Sequence, residues 1–580
     1  MALPVVKLDA TLSDLYREAC PQNARTRLGM AFCGISSAVG LTRDVPRNTK
    51  FIYQDQTFVK GSHQELSNDN ISLTRSLAKK CLSHISQRDS FLAGNAPVIF
   101  FNLGRSSEDI EHDRRDAEAT FSALDPSQRP ELIFCAGPAS IPLKEHAIDR
   151  LQYKVILDGL EQHPLTHSLE AHFILNSKGA LARSGIPTPK CQFVETEAPP
   201  PPAQDCCLPC QELDNDKSLT AAIPLACEGP RGCWLSAQIG RILDAVRARP
   251  IPFVVKTQQG YGGAGTWLIR TEVQKAQLLL ELGGDPRGDG ARTEEGRNVG
   301  QAIGGGLLHR LLPLLTSENA HLSPTAILLT ELIEDPVNDY GLTFLVTSTG
   351  EARFLAASEQ ILTTPTRAST NRLNSRTSSS SSLSSNNTNG TSTDTASDSE
   401  STTSEATTDT TITTISGSVW TGSTISYSRQ DALRKRLTPL MERIAAWVAS
   451  HGYAGPVGAD VLEASNRGDG GEEFFVVDLN VRTTGSMSLP LMRGHFTSRG
   501  LMCASTFSLA SAIGRKEFIQ KWRELFEAGR MVILSWFEDS EDGEGGVVSS
   551  IGDVALGAED EKALEETMMK VKAGTEDVTL

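Results

Sequence analysis

Val254-Val255-Lys256-Thr257-Gln258-Gln259-Gly260-Tyr261-Gly262-Gly263-Ala264-Gly265-Thr266-Trp267-Leu268-Ile269 reads as strand, glycine-rich loop and strand, with a lysine near the end of the first strand. Glycines let backbone N–H groups approach a phosphate with no Cβ in the way. Lys256 sets a full positive charge beside them. The combination points to a hairpin that holds a nucleoside triphosphate. The alternative is an ordinary glycine-rich surface turn, and the rest of the chain decides between them.

Better-known phosphate loops fit poorly. Gly260, Gly262 and Gly265 satisfy G-x-G-x-x-G, but a dinucleotide fingerprint must open a helix. Here Thr266-Trp267-Leu268-Ile269 follows, and its bulky and β-branched residues favour a strand. No Gly-Lys-Ser/Thr closes the loop, so it is not a P-loop. A protein-kinase loop has its lysine after the glycines, and no H-R-D or D-F-G triplet follows here.

A chain of 580 residues has room for about three domains. The formal net charge of −16 argues against a nucleic-acid face and against an anionic membrane surface. No apolar run approaches the roughly 18 residues a membrane span needs, and the N-terminus lacks a signal-peptide core, so a cytosolic protein is expected. The eleven cysteines are an odd, scattered set, which makes a disulfide framework unlikely. Cys206-Cys207-Leu208-Pro209-Cys210, with Cys227 and Cys233, could supply zinc ligands. The second pair is too widely spaced for a standard knuckle, and the segment follows Pro199-Pro200-Pro201-Pro202. An irregular insertion over 196–233 is therefore expected.

Residues 1–170 read as an α/β domain. Pro97–Gly104 and Glu131–Gly137 are continuous apolar strands flanking a charged helix from Ser107 to Leu124, the signature of a parallel sheet. Phe51-Ile52-Tyr53 is a further candidate strand. Ile174–Pro189 predicts one short helix stopped by Gly185 and Pro187. An amphipathic helix is expected around Ala237–Ala248, and a loop over Gly283–Gly306. Strands are expected at Ala326–Ile333, Tyr340–Thr347 and Ala352–Ala357. Residues 364–416 are Ser/Thr-rich low complexity that cannot form a packed core, so a disordered insertion is expected there. The helix carrying Leu433, Leu437, Leu440, Met441, Ile444 and Val448 should kink or divide at Pro439. The divisions expected are 1–170, 171–333, 334–510 and a C-terminal α/β extension, 511–580.

A second constellation lies some two hundred residues beyond the hairpin. Gly458-Ala459-Asp460-Val461-Leu462 is a strand with one carboxylate. After a polar turn comes Phe474-Phe475-Val476-Val477-Asp478-Leu479-Asn480-Val481-Arg482. Strand alternation puts Asp478, Asn480 and Arg482 on one face. Paired as a hairpin, Asp460 lies beside them. Two carboxylates and an amide oxygen make a hard site suited to Mg²⁺, and Arg482 can steady a transferring phosphoryl group. The competing reading is an edge hairpin with a solvated polar face. Against it, Phe474–Val477 is apolar on both faces, and polar groups at the end of a core strand are costly unless paired.

In this order the pieces resemble the ATP-grasp superfamily, over about residues 171–495. The resembling elements are Lys178 ahead of Gly185-Ile186-Pro187, the Lys256 hairpin, Thr330-Glu331-Leu332-Ile333-Glu334, Asp460, and Asp478-x-Asn480-x-Arg482. The resemblance implies an ATP-grasp fold behind a Rossmann-like N-terminal domain, with ATP and Mg²⁺ as cosubstrate and cofactor. It implies that Lys178 and Lys256 hold phosphates and that Gly260, Gly262, Gly263 and Gly265 close over them. Glu331, Leu332 and Ile333 would take the adenine, and Glu334 or Asp335 the ribose. Asp460, Asp478 and Asn480 would hold the metal. Lys256 and Arg482 would serve the transition state. Asp478 stands where glutamate is more usual, and the turn after Asp460 is long.

The ending Val481-Arg482-Thr483-Thr484-Gly485-Ser486 and the N-terminal domain look most like the carboxylate–amine ligase branch, including fungal natural-product peptide and amide ligases. That branch implies small-molecule carboxylate and amine substrates, an acyl phosphate, and a role in secondary metabolism. A homodimer is compatible with it. Arg493 and His495 are candidates for the substrate carboxylate, or for a plain surface turn. Competing outcomes are a carboxylase, thioester synthetase or phosphotransferase, or an inactive ATP-binding regulatory module.

Overall fold

The computed structural model describes residues 3–23, 25–33, 50–52, 86–101, 106–215, 223–260, 263–284, 305–363, 419–464, 474–538 and 550–575. Three sheets carry the architecture, and the expected mixture of α/β and α+β organisation is what they form. The Ser/Thr-rich segment 364–416 lies outside the described residues.

The first sheet joins β1 (Leu28–Ala31), β2 (Pro97–Phe101), β3 (Glu131–Cys135) and β4 (Arg150–Tyr153) in the order β3-β2-β1-β4. Every pairing is parallel. Strand β2 is buried at each position, as a strand covered on both faces must be. The crossover helix Ser107–Phe121 opens on a capping box between Ser106 and Asp109. Phe51 and Ile52 are not strand residues. Phe51 packs instead on Phe173, with ring centroids 5.6 Å apart, while Tyr53 lies outside the described residues.

The second sheet is small, in the order β5-β8-β6-β7, from β5 (Cys191–Val194), β6 (Phe253–Thr257), β7 (Thr266–Ile269) and β8 (Ile327–Glu331). Strands β6 and β7 form the expected antiparallel hairpin, Lys256 opposite Thr266. Helix Pro230–Ala248 begins earlier than its apolar pattern suggested, because Pro230 sits in its first turn. Its buried Leu235, Ile239, Ile242 and Val246 share a core with Phe253, Val255, Trp267 and Leu329.

The third sheet has eight strands: β9 (Asn338–Val346), β10 (Ala352–Thr363), β11 (Val419–Ser426), β12 (Gly455–Glu463), β13 (Phe474–Asn480), β14 (Cys503–Ser511), β15 (Met531–Glu538) and β16 (Ser550–Ala558). Their order is β13-β12-β9-β10-β11-β14-β16-β15, antiparallel throughout. The segment expected as a C-terminal extension thus contributes β15 and β16 to this sheet. Helix Gln430–Ser450 covers one face, packing Leu437, Met441, Ile444 and Val448 on Leu342, Phe344, Val457 and Val461. Pro439 neither ends nor divides that helix. Pro439 and Lys435 are both exposed, so the carbonyl freed by the missing N–H can turn to water.

The single helix expected over Ile174–Pro189 is two, Leu169–Leu175 and Lys178–Arg183, broken at Asn176-Ser177. The break has a use. Asn176 donates from Nδ2 to His172 O at 2.8 Å and accepts from Val481 N at 2.9 Å, so it fastens the helix pair to the end of β13. Pro187 O accepts from Val476 N at 2.8 Å and covers the outer edge of the same strand.

Beyond the end of its pairing with β11, β10 is completed by a side chain. Gln430 Oε1 accepts from Ala357 N at 2.9 Å, and its Nε2 donates to Ala357 O and Ser426 O, each at 3.0 Å. Gln430→Leu strands buried backbone groups and should cost ~2–4 kcal/mol of stability. Urea unfolding of the purified variant measures it, and a loss within experimental scatter would contradict this account.

Candidate functional site

Lysines from the small-sheet side and carboxylates from the large sheet meet along β13. Lys256, on β6, reaches across to donate from Nζ to Val477 O at 2.8 Å. Lys178, the first residue of its helix and 8% exposed, places Nζ 3.2 Å from Asp478 Oδ2. Burial presses the Lys256 ammonium down to about 8, with Asp478 opposing the shift and Lys178 reinforcing it. Lys256 therefore stays largely protonated near neutral pH, at a cost that an anionic ligand beside it would relieve.

The root of the glycine loop is locked to the helix pair. Lys178 N donates to Gln258 O at 3.1 Å, and Gly179 N to Gln258 Oε1 at 2.9 Å. Gln259 Nε2 donates to Phe173 O at 2.5 Å and to Ser177 Oγ at 3.0 Å. Both glutamines are almost fully buried. Gly263 and Gly265 adopt φ of +81° and +71°. A Cβ at Gly265 would sit 2.1 Å from Thr257 Oγ1, so only glycine fits there. Gly260 ends the rising arm, and Gly262 lies outside the described residues.

Asp460 and Asp478 stand directly opposite each other on β12 and β13, beside a register shift between Asp460 and Val461. Val457, Ala459 and Val461 turn into the core under helix Gln430–Ser450, so alternation turns Asp460 to the other face. Burial, then the nearby Asp478 and Asp339 carboxylates, raise Asp460 to about 7. Gln360 Nε2 donates to Asp460 Oδ1 at 2.8 Å. Asn480 lies on the same face as Asp478, and its Oδ1 accepts from Arg482 Nη2 at 2.8 Å. Arg482 itself follows the end of β13. A like-charged pair with all-oxygen donors suits a hard divalent cation, which would lift the repulsion that now favours a proton on Asp460.

Two residues of this face were not expected from the sequence. Asp339, on β9 opposite Leu462, is raised to about 6 by burial, and its Oδ1 has no hydrogen-bond partner. Gln360 reaches the face because β10 continues to Thr363, past the expected end at Ala357. Starting β9 at Asn338 would have revealed Asp339, since alternation then puts it in line with Gly341 and Thr343.

Glu331 closes β8 opposite Phe253, three positions along β6 from Lys256. Its N–H donates to Lys190 O at 2.8 Å. Leu332 and Ile333 are buried and lie past the end of the strand, while Glu334 is exposed. Asp335, at φ +46°, turns the chain toward β9. These residues form the connector between the two antiparallel sheets. His495 is buried in the core. Its Nε2 pairs with Gly529 O at 3.0 Å, and burial lowers it to about 4. Arg493 is exposed.

No family model matches the chain. No curated protein matches it. Solved structures do. N5-carboxyaminoimidazole synthetase from Staphylococcus aureus, complexed with ADP, aligns with 94% of this chain and 96% of its own at 10% identity and TM-score 0.38. The Aspergillus clavatus synthase, with ADP and 5-aminoimidazole ribonucleotide, covers 94% and 98% at 8% identity and TM-score 0.37. The biotin carboxylase domain of Hydrogenobacter thermophilus 2-oxoglutarate carboxylase, with MgADP and bicarbonate, covers 83% and 84% at 9% identity and TM-score 0.36. Resemblances this loose assign neither activity nor ligand.

The raised Asp460 sets a stability prediction. The folded protein binds its proton more tightly than the unfolded chain, so ligand-free stability falls as pH rises from the ordinary carboxyl value of 3.8 toward about 7. Asp460→Asn should therefore stabilise the ligand-free protein by ~1–3 kcal/mol at about pH 8, with the gain fading toward about pH 4. Denaturation at both pH values tests it, and a variant less stable than wild type at the higher pH would contradict it.

Proposed function

We propose that the chain is an ATP- and Mg²⁺-dependent ligase of the ATP-grasp type, joining a carboxylate to an amine. The observation that carries this reading is the convergence of Lys178 and Lys256 on the strand bearing Asp478, with Asp460 directly across from it. Cations from one side and carboxylates from the other suit a triphosphate with its metal between them. In this reading Glu331, Leu332, Ile333 and Glu334, on the connector between the sheets, take the nucleoside. Gly260, Gly262, Gly263 and Gly265 bring backbone N–H groups over the distal phosphates.

The reaction follows from the chemistry of a carboxylate, which is a poor electrophile. A substrate carboxylate oxygen attacks the γ-phosphorus, the bond to the β–γ bridging oxygen breaks, and ADP leaves. The amine nitrogen then attacks the acyl carbon, expels inorganic phosphate and loses a proton. Lys178 and Lys256 offset phosphate charge and hold the reactants in line, and Arg482 stabilises charge as the phosphoryl group moves. Asp460, Asp478 and Asn480 would hold Mg²⁺, which supplies further charge neutralisation at the phosphates when bound. No side-chain nucleophile is needed. The sequence resemblance favours an amino acid or related acid as the carboxylate and a natural-product amide as the product.

Incubating the purified protein with ATP, Mg²⁺ and an amino-acid mixture should release ADP and yield amide products by mass. Lys256→Ala and Asp478→Ala should each lower turnover by ~100-fold or more. Arg493→Ala should stay within about twofold if this exposed residue belongs to a plain surface turn, and a loss of ~10-fold or more would place it on the substrate carboxylate. ATP binding with no ADP release would reject the ligase reading in favour of a binding module.

A further inference from the structure

Four cysteines of the insertion meet on the far side of the small sheet. Cys206 follows a short 3-10 turn, Cys207 and Cys210 flank the start of helix Leu208–Asn215, and Cys227 precedes helix Pro230–Ala248. The Sγ atoms of Cys206, Cys207 and Cys210 lie 3.5, 3.6 and 3.5 Å from that of Cys227. All four lie within 4.8 Å of one another. We propose that Cys206, Cys207, Cys210 and Cys227 bind one Zn²⁺ as a closed tetrathiolate site that fixes the insertion to the subdomain carrying Lys256.

The sulfur spacing is the first argument. A tetrahedral zinc with Zn–S bonds of ~2.3 Å sets its sulfurs ~3.8 Å apart, along the edges of a tetrahedron. A disulfide would bring two sulfurs to ~2.05 Å, whereas all four of these cysteines are free. The same compactness suits a single ion better than an iron–sulfur cluster, whose ligands surround several atoms. The donors are uniformly soft, with no carboxylate or imidazole among them, which favours zinc over magnesium or calcium.

The backbone around the sulfurs is the second argument. A Cβ at Gly229 would come within 2.7 Å of Cys206 Sγ, and one at Gly232 within 1.6 Å of Cys227 O. The turn after Cys227 therefore closes over the cluster only because both positions are glycine. The set differs from the one spacing suggests. Cys233 is exposed and turns away to donate to Glu228 O, and Cys206 takes the fourth corner.

The site has a structural role. Cys210 and Cys227 are buried in the core that backs β6, together with Leu235, Ile239 and Val255. An ion here pins the start of helix Pro230–Ala248, and that helix supports the strand of Lys256. Four thiols give up four protons to solvent as they bind one Zn²⁺, and no position is left open for chemistry.

The test uses the full chain, purified reduced and without a metal-binding tag. Elemental analysis should find ~one zinc per chain, and Co²⁺ exchanged into the protein should give the intense visible absorption of a tetrahedral tetrathiolate. Cys210→Ser and Cys227→Ser should fall below ~a tenth of an ion per chain, while Cys233→Ser and Cys503→Ser keep it. If the serine variants do not fold, the cobalt spectrum of the wild-type chain decides. Wild-type protein that holds no zinc after reduction in zinc-containing buffer and gives no cobalt–thiolate absorption overturns the proposal. So does loss of two or four thiols to disulfides with no metal present.

Discussion

Two carboxylates facing each other across neighbouring strands repel, and the candidate site is arranged around that repulsion. Asp460 and Asp478 are paired in register on β12 and β13, on the face turned away from the helix core. Burial weakens the screening of Asp460 by water, and with Asp478 beside it Asp460 holds a proton to about 7. Lys178 and Lys256 arrive from a different sheet and offset part of the charge. Removing either side leaves the other as uncompensated buried charge, which is far more costly than a missing surface pair. The mutual need of these groups explains why the small sheet and the large one close on each other here.

Positioning depends on backbone groups more than on further charges. The Gln258 and Gln259 side chains satisfy N–H and C=O groups at the break between two short helices. Asn176 joins that break to Val481. One run of amides thereby fixes Lys178, the root of the glycine loop and the end of β13 in a common frame. Neutral amides suit this task, because they donate and accept within the same buried space without adding a charge.

Much of this was legible in the chain. Period-two alternation in Asp478-x-Asn480 and the strand–glycine–strand pattern at Lys256 are local signals, and local signals survive folding. The pairing of Asp460 with Asp478 followed from a hairpin reading, even across a long turn. What escaped depended on strand length. Asp339 and Gln360 lie at strand ends, where sequence places boundaries least well. The helix break at Asn176 escaped because its cause is a partner some three hundred residues away, at Val481. Pro439 does not divide its helix, because the buried face holds the helix together across an exposed proline. Of the five cysteines that the sequence sets together, Cys206, Cys207, Cys210 and Cys227 gather and Cys233 turns away, which spacing alone does not decide.

The contact between Lys256 Nζ and Val477 O spans 221 positions in the chain. Contacts of such long range form late, since the loop they close must be ordered first. During synthesis the two lysines emerge and their small sheet can fold long before any β13 carboxylate exists. A nascent chain at that stage presents cationic groups and a glycine hairpin with nothing opposite them. The site comes into being only when the large sheet closes, so the proposed binding of a metal-bound triphosphate would report that β12 and β13 have closed on the two lysines.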